Sequence, residues 1–273
     1  MKISAFVIAS NEESNIGACL ATLSWADEIV VVDAMSTDRT REIAAEYDAR
    51  VFSRPWEGYA RAREYAISKC RFDWVLAVDA DERVTPELRA EIEDVLRQTA
   101  YDGFLVPRKA FFLGRWIRHC GWYPGHVLRL AKRDRAWVTD RKVHEGMRVR
   151  GSVGSLANPL LHHTYPTIES YFARFDRYTT LAAEEMFEES VRVRTADFVF
   201  RPLFMFAKMY LAKLGILDGL EGLMLCTFSS FYVLVKYAKL REMYRRRARS
   251  GSHKRPSSQN RQDAGTDLPT PKT

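Results

Sequence analysis

Four strand-then-helix units in the first hundred residues predict an α/β protein built on a doubly wound, mainly parallel sheet, followed by a helical, amphipathic C-terminal extension. Two observations carry the first half of that expectation. Short apolar runs of strand length alternate with segments of helical spacing, and the connections between them are short. A third observation carries the second half: residues 198–244 are rich in Phe, Leu, Met and Tyr.

The run ISAFVIA (3–9) reads as the first strand, and Ile16, Leu20 and Leu23 follow Ser14 at helical spacing. EIVVV (28–32) is a second buried strand, and Thr37 or Asp38 is expected to cap the helix after it. Residues 50–53 form a short third strand, a helix covers roughly 59–68, and DWVLAVD (73–79) is the fourth strand. Thr85 and Pro86 then stand as N-cap and first helical residue, with Leu88, Ile92, Val95 and Leu96 on one face. From Phe104 to about Leu161 aromatics, Gly and Pro are frequent, so short strands and loops closing over the sheet are expected there. Residues 168–189 have helical spacing again, and the Ser/Gln/Pro/Arg composition beyond Arg249 reads as disordered.

Charge and cysteine usage exclude several functional classes. Of a net +7 over 273 residues, the segment from Arg241 onward carries nine Lys/Arg against three Asp/Glu, which leaves about +1 for the body. A nucleic-acid partner is therefore not expected, because the folded part lacks the basic face such binding requires. The four cysteines make no C-x-x-C pair and suit a reducing compartment rather than a disulfide framework or a zinc site. Lys2 and the apolar run after it are cut short by Asn11, Glu12 and Glu13, so a first strand fits better than a signal peptide.

In open α/β sheets, ligands bind beyond the carboxyl ends of the strands. Strand one ends in Ser10-Asn11-Glu12-Glu13, strand two in Asp33-Ala34-Met35-Ser36-Thr37-Asp38, and strand four in Asp79-Ala80-Asp81-Glu82. Three polar, mostly acidic clusters thus converge on one edge. Neither G-x-G-x-x-G nor a Walker A sequence is present, so a glycine cradle for phosphate is not expected. Two carboxylates one residue apart offer another route, since a divalent cation can bridge them to a diphosphate. The competing reading, an acidic loop capping the next helix, loses weight because Asp-x-Asp directly follows an apolar strand and Asp33 is placed likewise.

NEE (11–13), VVDAMSTDRT (31–40), ARAREYAI (60–67) and DWVLAVDADE (73–82) together resemble the family 2 glycosyltransferases of the GT-A fold. In the second half, VHEGMRVRG (143–151), His162-His163 and RPLFMFAKMYLAKLGILDGLEG (201–222) resemble the lipopolysaccharide inner-core β-glucosyltransferases. The resemblance implies that Asn11, Glu12 and Asp33 contact the nucleoside. Arg63 matches a basic residue of the family, although Glu64 stands where an Asn is usual. Ala9 and Ser10 replace the commoner Thr-Tyr or Pro-Tyr. Asp79 and Asp81, with Ala80 between them, would hold the ribose and an Mg²⁺ or Mn²⁺ on the diphosphate, with Asp81 the direct ligand. His163 is a further candidate for the metal or diphosphate, against the plainer alternative of a structural histidine.

An inverting transfer needs one general base opposite the leaving diphosphate, to take the proton of the attacking acceptor hydroxyl. Glu145 is the candidate, with Asp140 in reserve; the alternative is a surface ion pair among Arg141, Lys142 and Arg148. The resemblance further implies UDP-glucose as donor and a lipid-linked oligosaccharide of the lipopolysaccharide core as acceptor. A polyprenyl-phosphate acceptor and a non-catalytic membrane adaptor are the competing functions.

Residues 1–165 are thus expected to form the catalytic domain, 166–244 a helical acceptor and membrane-association region, and 245–273 a basic disordered tail. Residues 222–235 are fourteen without a charge, bracketed by Glu221 and Lys236, and residues 198–214 are interrupted by Arg201, Lys208 and Lys213. Spanning a bilayer takes about twenty apolar residues. Both segments instead suit interfacial helices, with the cluster Arg245 to Arg249 drawn to an anionic membrane surface; packing on the catalytic domain or a dimer interface is the alternative. A cytoplasmic protein, peripheral on the inner face of the cytoplasmic membrane, is the resulting expectation.

Overall fold

The computed structural model describes residues 1–139 and 146–252. It opens with β1 (Ile3–Ala9), α1 (Ile16–Ala21), β2 (Glu28–Asp33), α2 (Thr40–Ala45), β3 (Arg50–Ser53), α3 (Tyr59–Lys69) and β4 (Trp74–Asp79). The four strands are parallel, as the strand–helix alternation predicts, and lie in the order β3-β2-β1-β4. Alternate residues of β1 feed two cores, because successive strand side chains point to opposite faces. Ile3, Ala5, Val7 and Ala9 pack with α1, whereas Phe6 packs with Val30, Val32 and the α3 residues Ala60 and Ala66.

The expected cap of α2 is shifted. Arg39 is the N-cap residue and contributes no side-chain capping bond. The Asp38 carboxylate accepts from the Thr40 N–H at 3.0 Å, one residue further in. Thr37 is drawn the other way, its N–H donating to Asn11 Oδ1 at 2.9 Å.

After β5 (Glu82–Val84), α4 (Pro86–Val95) begins as expected, with Thr85 Oγ1 accepting from the Leu88 N–H. The chain then forms β6 (Gly103–Val106), β7 (Arg108–Phe112), β8 (Arg115–Trp116), β9 (Val127–Lys132), β10 (Ala136–Val138), β11 (Met147–Val149), β12 (Val153–Ser155) and β13 (Leu160–Tyr165). These strands do more than close over the parallel sheet. β9 adds antiparallel to β4, followed by β6 and β12, and extends the sheet to seven strands. A second sheet, in the order β5-β13-β7-β8, starts from the Asp-x-Asp loop itself.

Helices α5 (Ile168–Glu188), α6 (Asp197–Ala207) and α7 (Gly219–Ser252) pack on that second sheet through a separate aromatic core that includes Phe112, Tyr171, Phe175 and Leu225. A tight 3₁₀ turn, Gly215–Asp218, leads into α7. A Cβ at Gly215 would lie 2.8 Å from both Cys120 Sγ and the Met209 carbonyl, so only glycine fits that approach. Asp218 is buried and accepts from the backbone N–H groups of Arg118 and His119, which ties the turn to the loop after β8.

The uncharged run 222–235 is part of a longer helix, which includes the bracketing Glu221 and Lys236. α7 runs through both and through the basic cluster at Arg245–Arg249, where the tail was expected to begin. The continuous stretch Gly215–Arg249 is long and apolar enough to cross a membrane by length and composition, with 28% of its apolar window buried in the fold. The buried stripe of α7, Leu225, Cys226, Val233, Tyr237 and Leu240, recurs at helical spacing.

The parallel sheet is pinned at its amino-terminal edge by Glu28. This buried carboxylate accepts from Ser4 Oγ at 2.6 Å and the Arg71 N–H at 2.8 Å, and pairs with Arg50. Burial alone would raise its pKa, but these donors outweigh burial and hold it below the usual glutamate value. Its contribution is therefore fully present above the unfolded-state pKa and is lost as pH falls through the folded one. Glu28→Gln should cost about 2 kcal/mol near neutral pH. In urea titrations across a pH series, that penalty should shrink steadily below about pH 4.5.

Candidate active site

Three strands deliver their last residues to one edge of the sheet. Ala9 is in register with Asp33, and Ile8 with Asp79. The loop after β1 turns at Asn11, whose φ is 54°. It is laced to the loop after β2: the Asn11 N–H donates to Ser36 Oγ at 2.9 Å and the Glu12 N–H to Thr40 Oγ1 at 2.8 Å. Asp33 is fully buried and accepts from the Ser36 N–H at 3.1 Å, with Arg41 3.8 Å away. Ser10 is exposed and Glu12 half-buried. Burial raises the Glu12 carboxyl, opposed by the Asn15 amide that donates to it.

The two aspartates of the Asp-x-Asp loop face different partners. Asp79 is paired with Arg129 of β9, and Arg63 of α3 lies 3.5 Å away. Arg129 is itself buried and donates to Glu82 at 2.6 Å, while Glu82 accepts from the Asp79 N–H at 3.0 Å. Burial would raise the Asp79 carboxyl, but Arg129 and then Arg63 drive it well below the ordinary aspartate range. Between them, Ala80 is buried and its carbonyl accepts from Arg83.

Asp81 turns toward β13 and α5. Its Oδ2 lies 3.5 Å from His162 Nε2 and 3.3 Å from Arg174. Burial opposes ionisation here as well, and His162 with Arg174 more than compensates, so this carboxyl too sits below its usual value. His163 donates its backbone N–H to the Asp81 carbonyl at 2.9 Å, but its ring stacks on Phe111 with centroids 4.9 Å apart. Burial, then Arg83 and His162, hold that imidazole below the usual histidine pKa. Of the adjacent pair it is thus the His162 side chain that meets the Asp81 carboxylate. The base candidates Asp140 and Glu145 lie outside the described residues.

Arg129, Arg174 and His162 are site residues that pattern reading did not select. Arg129 has a sequence signal, a lone charge inside the apolar run VLRLA (127–131). His162 has one too, because strand alternation sends only one of two neighbouring side chains to a given face. Arg174 has none, since a helix in FARFDRY (172–178) admits several outward positions.

Among the described residues no group of three or more His, Cys, Asp or Glu is disposed to hold a metal ion. Asp81 and His162 nevertheless fit one. A carboxylate oxygen and an imidazole nitrogen are donor types that would hold a divalent ion, and these two side chains meet at the strand end. Such an ion is commonly bound by few protein groups and completed by substrate phosphates and water.

The description Glycosyl transferase family 2 matches residues 4–146, more than half of the chain. The lipopolysaccharide core biosynthesis glycosyltransferase LpsC of Rhizobium meliloti is 30% identical over 262 residues, covering 91% of this chain and 95% of that protein. An uncharacterized glycosyltransferase of Rickettsia felis is 26% identical, covering 88% and 90%. Among solved structures, S. aureus TarS 1-349 in complex with UDP-GlcNAc aligns over 90% of this chain and 92% of that one, with a TM-score of 0.47 and 15% identity.

Removing the buried guanidinium would leave Asp79 and Glu82 facing each other with only the more distant Arg63, 3.5 Å from Asp79, and Arg108, 3.7 Å from Glu82, as counter-charges. Arg129→Met should therefore destabilise the protein by about 3 kcal/mol, the low end for a broken buried pair because the Asp79 side chain is 36% exposed. Adding Glu82→Gln should restore part of that loss in a double-mutant cycle followed by urea unfolding.

Proposed function

As a member of glycosyl transferase family 2 this chain is a glycosyltransferase, and we propose that it moves glucose from UDP-glucose onto a lipid-linked oligosaccharide of the lipopolysaccharide core, with inversion. The observation that carries the donor half is the edge of the sheet, where Asp81 and His162 stand beside the guanidinium groups of Arg63 and Arg174. A nucleoside diphosphate needs such positive charge. The acceptor half is supported by the likeness to the core glycosyltransferase LpsC over nearly the whole chain.

In this reading Asp81 and His162 hold an Mg²⁺ or Mn²⁺ ion, which supplies charge neutralisation to the diphosphate. Asp79, fixed by Arg129, faces the ribose, and Asn11, Glu12, Asp33 and Ser10 line the nucleoside end. Arg63 and Arg174 lie where they can follow charge onto the leaving group as the glycosidic bond breaks. The acceptor oxygen forms its bond to the anomeric carbon from the opposite side, and Glu145 takes its proton, with Asp140 as the reserve base. Thr139 and Gly146, which flank that segment, are joined by a 3.4 Å backbone contact, and β10 packs against α3, the helix carrying Arg63.

The membrane face is supported by exposed apolar side chains. Phe200, Leu203 and Phe204 of α6, with Leu211, Leu217 and Leu220, are each more than half exposed. Large contiguous apolar surface on a folded domain marks an interaction site. Peripheral attachment fits better than a crossing by α7 alone, because Lys239 of α7 donates to the Asp176 carbonyl and to the Thr179 and Thr180 hydroxyls of α5.

Two measurements test these assignments. With truncated lipopolysaccharide and UDP-glucose, transfer should require Mg²⁺ or Mn²⁺; Asp81→Ala should lower it about a hundredfold or more, and Glu145→Gln should lower kcat ~10²–10⁴-fold with donor affinity kept. Full transfer in excess chelator would refute the metal assignment. In vesicle co-sedimentation, Leu203→Asp with Phe204→Asp should release the protein from membranes while acceptor-independent hydrolysis of UDP-glucose persists.

A further inference from the structure

Beside the Asp81 site lies a cavity of about 510 Å³ whose lining includes none of the residues assigned above to the donor. Its walls come from the loop at Cys120–Trp122, from the ends of β13 and α6, and from α7. Three aromatic rings, Trp122, Tyr165 and Tyr171, meet in it with centroid separations of 4.8–6.3 Å. Three ammonium groups, Lys208, Lys213 and Lys236, line it, and no Asp or Glu does. None of the three forms an ion pair among the described residues. Lys236 is half-buried, and burial, then Arg201, depress its pKa, with Glu185 opposing. Three like charges around one open cavity, two of them on exposed side chains and none ion-paired among the described residues, favour an anion there.

The cavity is also continuous with the chemistry. Tyr165 forms part of its wall, and the Arg174 guanidinium sits 5.5 Å over the same ring while reaching Asp81. On the other side Met205 and Met209 border it, on the segment whose outer face exposes Leu203, Phe204 and Leu211. A saccharide tethered to a lipid at that apolar face would enter between the two.

We infer that this cavity is the acceptor subsite for an anionic saccharide, in which the aromatic rings take the sugar and Lys208, Lys213 and Lys236 take a phosphate or carboxylate substituent. The inference rests on the glycosyltransferase reading above and names the acceptor's chemical class. The class follows from the lining, because a neutral sugar needs rings and hydroxyl partners but gives three lysines no role.

The test is direct binding, which does not depend on turnover. Delipidated, phosphorylated core oligosaccharide is titrated calorimetrically into the full chain and into a Lys208→Gln/Lys213→Gln/Lys236→Gln variant of matched thermal stability. The wild type should bind with an affinity that falls as salt rises, and the variant should bind about tenfold or more weakly. Lys→Arg at the three positions should restore most of that affinity. Dephosphorylated and carboxyl-reduced oligosaccharides separate the two anions, since only removal of the recognised group should erase the difference between wild type and variant. Equal binding by the wild type and the Gln variant, or no binding by the wild type, would overturn the inference. Lysine-dependent binding without transfer would instead count against the activity reading and leave the anionic subsite standing.

Discussion

The guanidinium of Arg129 is the interaction on which the cleft depends. It is buried between Asp79 at the end of β4 and Glu82 at the start of β5, and it arrives from β9, the strand that turns the parallel sheet into a mixed one. One cation thereby joins the end of the nucleotide-side strands to the beginning of the second sheet. A buried arginine without partners would be costly, so its two carboxylates fix the loop between them. Asp79 is committed to that pair. Asp81, two residues on, is turned to the opposite side, where β13 and α5 present His162 and Arg174. The division of labour between the two aspartates thus follows from where one arginine sits.

The second sheet also places the lysine-lined cavity beside the Asp-x-Asp edge. β5 pairs with β13, and β13 runs from the His162 position to Tyr165, which belongs to the lysine-lined cavity. The same sheet supports α5, α6 and α7 through one aromatic core, so the helices carrying the exposed apolar side chains and the sheet that starts from the Asp-x-Asp loop are packed together. Asp218 holds the loop at Arg118–Cys120 from below, and the residues just after it form the cavity wall.

The first half was legible because its strands have apolar centres and are neighbours in sequence. EIVVVD and WVLAVD state their burial directly, and their polar ends state where ligands bind. The other half hides its pairings. β6 pairs with β9 and β12, and β5 with β13, across long separations that leave no local periodicity. Glu221 and Lys236 bracket an uncharged run of fourteen residues in sequence, yet the helix extends past both, because long charged side chains on a half-exposed helix reach solvent. At the site, Asp79 and Asp81 were identifiable from position, whereas choosing His162 over His163 required knowing which face of β13 meets the loop. Arg174 depends wholly on tertiary packing. The proposed base, Glu145, rests on sequence alone.

The assignment of Asp81 and His162 as the protein's metal donors is the centre of this account, and electron–nuclear double resonance on Mn²⁺ bound together with UDP tests it most directly. The account predicts a nitrogen coupling of a directly ligated imidazole in the wild type, lost in His162→Gln and retained in His163→Gln. A coupling that survives His162→Gln and disappears in His163→Gln, or Mn²⁺ binding unaffected by Asp81→Asn, would contradict it.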